Sequence, residues 1–281
     1  DRITLGVAPE SVYMCNPELY REMARYATDN GDLPISMKLA GSLEEFRFVK
    51  YGATAGLDAA IAEQGFMEVP PWLPTQVTPV NYVLNWGLFE AKNVMLVYGV
   101  RVTDEDIDHL KAYDVSMAVC PSLNAQLGMG VAPVNEFLRA GMRCGLGTGA
   151  PGSIDFLDIF AEMRMELLIQ RALNTGEFID SQTLIEMGTL RAARALRMDD
   201  EIGSLEVGKC CDLFMIDSRR LELVGSCFDP TSVLGTVGVR GPVDYTVVHG
   251  RVTVAQGHLM TVDEERLAQD AETCCRQYLA R

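Results

Sequence analysis

Short apolar runs alternate with helically periodic stretches over the first two hundred residues. The runs are Ile3 to Val7, Ile35 to Leu39, Val94 to Val100, Val115 to Cys120 and Met142 to Gly147, and they read as buried parallel strands. The stretches between them carry helix start signals: Asn16-Pro17 before ELYREMARYA, Thr103 before DEDIDHLKAY and Asp155 before FLDIFAEMRMELLIQRAL. Strand, helix, strand repetition predicts a parallel sheet covered by helices. Five such strands suit a doubly wound sheet or part of an eight-stranded barrel, and periodicity does not choose between them.

From about Glu201 the pattern shifts to short strands broken by glycine, at Asp212 to Ile216, Tyr245 to Val248 and Val252 to Ala255. Two regions follow: residues 1–200, with alternating strands and helices, and residues 201–281, a small β-rich domain closed by a helix over Glu264 to Leu279.

Composition narrows the partners. The 39 acidic against 24 basic residues leave a formal net charge of -15, which repels phosphate backbones and anionic membrane surfaces. No run of apolar residues is long enough for a membrane span, and no secretory leader is visible, so a cytoplasmic protein is the expectation. None of the eight cysteines forms a CxxC, and Cys210-Cys211 and Cys274-Cys275 are direct neighbours; free, packed thiols are expected. The chain opens on Asp1 rather than Met, which leads us to expect further residues before it.

EIGSLEVGKCCDLFMID at 201–217 followed by VVHGRVTVAQG at 247–257 resembles the C-terminal signature of the amidohydrolase superfamily, in the branch of chlorohydrolases and adenosylhomocysteine-type deaminases. APESVYMCNPEL at 8–19, VTDEDIDHL at 102–110, CPSLNAQLGMGVAPV at 120–134 and GLGTGAPGS at 145–153 match in the same order. The resemblance implies an α/β fold: a (β/α)8 TIM-like barrel with a small C-terminal β-sandwich appendage and a site at the C-terminal ends of the strands. It also implies that the first three barrel strands and an HxH metal motif would precede Asp1.

By the same resemblance, the family's metal-ligand positions fall on Lys38 in MKLAGS, Tyr98 in MLVYGV and Gly149 in GTG, its proton-shuttling glutamate on Gly41, and a substrate-contacting histidine on Glu10. Zinc needs imidazole, thiolate or carboxylate, and the family uses it to activate water. Glycine offers no donor and lysine is cationic near neutrality, so the expected metal set is none, with zinc or iron required only if the chain is an active hydrolase. His109 lies in a helical stretch, and His249 and His258 in the β-rich region.

Glu10 and Lys38 end successive expected strands, about 5 Å apart if those strands pair. An ion pair joined by Tyr98 would then take over the metal's cross-linking role. Asn124 and Gln126 are expected to line a small-molecule pocket at the same rim. A reactive Lys38 amine and a nucleophilic Cys120 are weaker alternatives, and the late GLGTGAPGS loop lacks the lysine of a phosphate cradle. Three functions remain: an altered or inactive homologue binding a small molecule or partner chain at the mouth, an active hydrolase of non-peptide carbon-nitrogen bonds, and a structural subunit of a hetero-oligomer.

Overall fold

The computed structural model describes residues 3–52, 74–149, 157–173 and 175–280. Its centre is a parallel sheet of four strands in the order β1-β2-β3-β4, formed by Ile35–Leu39, Val94–Tyr98, Ser116–Val119 and Cys144–Leu146. The register sets Lys38 beside Val97 and Leu39 beside Tyr98, then Val97 beside Ala118 and Ala118 beside Gly145. Parallel pairing without offset brings the C-terminal ends of all four strands to one rim.

Strand alternation divides the residues between two faces. Ile35, Met37, Leu39, Leu96, Met117 and Val119 are buried in the main core, whereas Ser36 and Val97 are half-buried and Lys38 is exposed. The expected strand over Ile3 to Val7 is reduced to a single bridge between Val7 and Ile35. Ile3 and Leu5 remain exposed, so only one residue of that run gains a partner.

Helices α1 (Pro17–Asp29), α2 (Leu43–Tyr51), α3 (Pro79–Asn85) and α4 (Asp104–Ala112) cover the buried face. Asn16 caps α1 by accepting from the Glu18 N–H, with Pro17 in the first turn. Within α1 the fully buried Tyr20 donates to the carbonyls of Ser11 and Val12, which pins the loop carrying Glu10. Ser42 caps α2, and Thr103 and Asp106 form a capping box at α4.

Beyond the sheet come α5 (Pro121–Gln126), α6 (Val134–Arg139), α7 (Ile159–Ala172), α8 (Ser181–Met187) and α9 (Leu190–Ala195). The expected start of α7 at Asp155 lies outside the described residues; Asp158 caps the helix instead, accepting from Phe160 and Ala161. The C-terminal region forms an antiparallel sheet of Leu213–Met215, Tyr245–Val248, Arg251–Ala255 and His258–Leu259. It is a single sheet among the described residues, where a sandwich was expected. Within this region Val233–Val237 packs back onto α7 and α8, and α10 (Glu264–Leu279) closes the described chain with no buried residue. No described helix is long and apolar enough to cross a membrane.

Candidate functional site at the rim of the parallel sheet

The half-buried face of the sheet curves around an open cavity of about 460 Å³. Ser36 and Lys38 project from β1, Val97 and Tyr98 from β2, Ala118 and Cys120 from β3 and its end, and Gly147, Thr148 and Gly149 follow β4. Ala8, Pro9 and Glu10 close one side. Glu10, Lys38, Tyr98 and Gly149, which lie far apart in sequence, therefore meet at one mouth.

Lys38 Nζ donates to Glu10 Oε1 at 2.6 Å. That hydrogen bond raises the Lys38 pKa over the opposing effect of burial, so the amine stays protonated and does not serve as a nucleophile. The side chains are 46% and 61% exposed, and a pair so solvated contributes at most about 1 kcal/mol to stability. The expected ion pair is present, but it is too wet to replace the cross-link a metal would supply. Burial raises the Tyr98 pKa as well, keeping the phenol neutral, and its hydroxyl has no hydrogen-bond partner among the described residues. Burial pushes the Cys120 thiol up to about 12, which removes the thiolate a nucleophile would need.

Tyr98 has φ +85°, a left-handed conformation that a bulky side chain rarely adopts. It persists because Gly99 N–H donates to Leu39 O and Arg101 N–H to Ala40 O, tying the chain just after β2 to the end of β1 and the residue that follows it. Strain of this kind collects at functional sites. The Tyr98 ring is thereby turned toward Gly41, where an added Cβ would stand 2.9 Å from Tyr98 Cδ2 and 2.5 Å from Met129 Cε. Gly149, at φ +84°, would bring a Cβ to 2.5 Å from Leu123 Cδ2.

A second cavity of about 300 Å³ shares Glu10, Lys38 and Tyr98 with the mouth and adds Ser11, Tyr13, Ser42, Glu45 and Met129. Glu45 accepts from the Ala40 and Gly41 N–H groups, one at each oxygen, both at 2.8 Å. Burial pushes its carboxyl up to about 7 against those donors. It holds the turn that follows Lys38.

Sequence reasoning missed Ser36, Glu45 and Met129. The period of two would have placed Ser36 beside Lys38, and Ser42-x-x-Glu45 is a helix-start pattern. Nothing local marked Met129. Asn124 and Gln126 do not reach the mouth. Asn124 is 1% exposed and borders a separate cleft with Ile169 and Leu173, and Gln126 faces solvent on the last turn of α5. The helical position of α5 turns both away from the sheet end. His109 is half-buried on α4, and His249 and His258 lie in the antiparallel region.

Among the described residues the mouth offers an ammonium, a neutral phenol, the protonated thiol of Cys120, the hydroxyls of Ser36 and Thr148 and a carboxylate already held by that ammonium, a set that does not suit a divalent metal. Among the described residues no group of three His, Cys, Asp or Glu could hold an ion. A more apolar groove of about 590 Å³ runs between α9 and the antiparallel sheet, but it gathers no comparable polar set.

The model of the amidohydrolase family matches residues 1–253. Proteins named 5-methylthioadenosine/S-adenosylhomocysteine deaminase from Bacillus cereus (strain AH820) and Bacillus anthracis are 31% identical over 270 residues. The match takes in 96% of this chain and 56% of theirs, so the chain spans about half the length of these relatives. Among solved structures, a zinc-bound adenosine deaminase from Xanthomonas campestris superposes with a TM-score of 0.81 at 24% identity, over 98% of this chain and 57% of that one. A zinc complex of atrazine chlorohydrolase from Arthrobacter aurescens TC1 gives 0.76 at 24% identity, over 95% and 53%. At that identity the likeness carries the fold, and the parallel sheet is an arc of a (β/α) barrel wall.

Proposed function

Because this chain belongs to the amidohydrolase family, we propose that its barrel mouth is an inherited small-molecule site that holds its occupant through Glu10, Lys38 and Tyr98, without a metal-bound water. The observation that carries this reading is the 2.6 Å contact between Lys38 Nζ and Glu10 Oε1 at the place where the family resemblance puts metal and substrate contacts. The crowding at Gly41 and Gly149 supports it, because neither position has room for an acid without movement of Tyr98, Met129 or Leu123. A protonated lysine at the mouth also repels a cation.

A second reading is favoured by the relatives' own names: a hydrolase of non-peptide carbon-nitrogen bonds acting on adenosine-like nucleosides. It requires metal ligands from residues other than those described at this mouth. Metal content of the purified protein, measured by mass spectrometry after incubation with zinc, iron or manganese and desalting, separates the two. The first reading expects less than about a tenth of an equivalent throughout and no ammonia released from 5-methylthioadenosine or S-adenosylhomocysteine. Retention near one equivalent together with ammonia release would establish the second.

A further inference from the structure

Asn124 is 1% exposed, and neither its Nδ2 nor its Oδ1 has a hydrogen-bond partner among the described residues. A buried carboxamide with both ends unmade is costly to a fold. The residue borders a cleft of about 390 Å³ between α5 and α7, apart from the mouth. The lining grades from exposed Ala172 and Leu173 through half-buried Ile169 and Val131 to buried Asn124, and is completed by Ala125 and the backbone of Gly128 and Gly130. The N–H groups of Gly130 and Val131 are bonded to no described residue, so the loop adds backbone polar groups but no charge. That loop is held in place: Met129 N–H donates to Asn124 O at 2.9 Å, and Arg101 Nη2 donates to Met129 O at 2.9 Å.

We propose that this cleft is a second small-molecule site, one that takes a primary carboxamide joined to an apolar group. The Asn124 carboxamide supplies a donor and an acceptor side by side. A primary carboxamide meets both at once, its C=O on Nδ2 and its N–H on Oδ1. A trans secondary amide does not, since its N–H and C=O point in opposite directions, and main-chain peptide groups are excluded for the same reason. An alcohol carries both functions on one oxygen and does not span the two atoms. An ion finds no opposite charge in the lining and loses its hydration without a partner. Beyond the amide, Val131, Ile169 and Leu173 give the apolar group its walls, and the cleft has the volume for a single ring. The site shares no lining residue with the mouth, so it stands or falls independently of the reading given to Glu10, Lys38 and Tyr98.

Benzamide is the probe, with N-methylbenzamide, benzyl alcohol and benzoate as controls, each titrated against the purified protein by ligand-observed NMR. Benzamide should bind at least about tenfold more tightly than any control, since a site built to hydrogen-bond a group rejects an analogue lacking it. Ala172→Trp, a change at the exposed rim that fills the cleft, should abolish the binding, and thermal unfolding checks that this variant keeps its fold. Lys38→Met, at the mouth, should leave the benzamide affinity as it was. Asn124→Leu should weaken benzamide by at least about tenfold and raise the thermal unfolding midpoint, because an apolar side chain of similar shape removes two unpaired buried atoms. Comparable binding of N-methylbenzamide or benzyl alcohol, benzamide binding that survives Ala172→Trp, or its loss in Lys38→Met would overturn the assignment. So would an absence of binding by every probe, which would leave Asn124 to buried water alone.

Discussion

Gly41 and Gly149 differ from an acid in more than the atoms they lack. Gly149 sits at φ +84° with Leu123 Cδ2 only 2.5 Å from where a Cβ would stand, so both the backbone and a neighbour act against any side chain. Leaving the left-handed region to glycine is worth roughly 1–2 kcal/mol per residue, and displacing a packed leucine adds to it. Gly149→Ala should therefore lower the free energy of unfolding by about 2–3 kcal/mol in urea titration; a change near zero would show that Leu123 yields freely and would remove the crowding from the functional argument. The identities of these glycines are plain in the sequence. Their crowding is not, because Leu123 and Met129 reach them from a different helix and loop.

Among the elements, α4 shows how one side chain joins two helices. Asp106 is fully buried; its Oδ2 accepts from the Thr103 N–H at 2.9 Å, and its Oδ1 accepts from the Thr78 hydroxyl and from Asn81 Nδ2. Thr78 in turn caps α3 by accepting from the Asn81 N–H. Replacing Thr103 removes one cap, at about 1 kcal/mol. Replacing Asp106 also strands the buried Thr78 hydroxyl and the half-buried Asn81 amide, so Asp106→Ala should cost about 2–4 kcal/mol, clearly more than Thr103→Ala. Equal losses for the two, read from unfolding midpoints at constant slope, would mean that Asp106 acts only within its own helix. Thr103 was legible as a helix start from VTDEDIDHL; the link from Asp106 to α3 spans 28 residues and no local pattern carries it.

At the scale of the whole molecule, buried acids tie stability to pH. Glu166 is 1% exposed on α7, its Oε1 has no hydrogen-bond partner among the described residues, and burial pushes its carboxyl from 4.5 up to about 7. Glu45 is shifted in the same direction for the same first cause. Between these two pKa values the folded state binds more protons than the unfolded state, so stability falls as pH rises from about 4.5 through about 7 and is lowest above it. Thermal midpoints should drop across that window, and Glu166→Gln, which keeps the shape without the charge, should flatten the drop and raise the midpoint on the alkaline side. An unchanged profile in Glu166→Gln would assign the slope to Glu45 or to the net charge of -15.

The sequence by itself determined the order of the elements, their caps at Asn16 and Thr103, and the alternation that sends Met37 and Leu39 to the core and Lys38 to the opposite face. These are consequences of local periodicity, which the chain carries in its nearest neighbours. That Glu10, Lys38, Tyr98 and Gly149 share a rim was legible only through the family resemblance, because strand pairing is not local and the run before Glu10 pairs through Val7 alone. Only the tertiary structure decided that Ile3 and Leu5 stay unpaired, that Asn124 turns into a cleft beside α7, and that Met129 and Leu123 occupy the space beside Gly41 and Gly149. Those outcomes depend on which side chains from distant segments fill the same volume, a property of packing in three dimensions that neither periodicity nor spacing encodes.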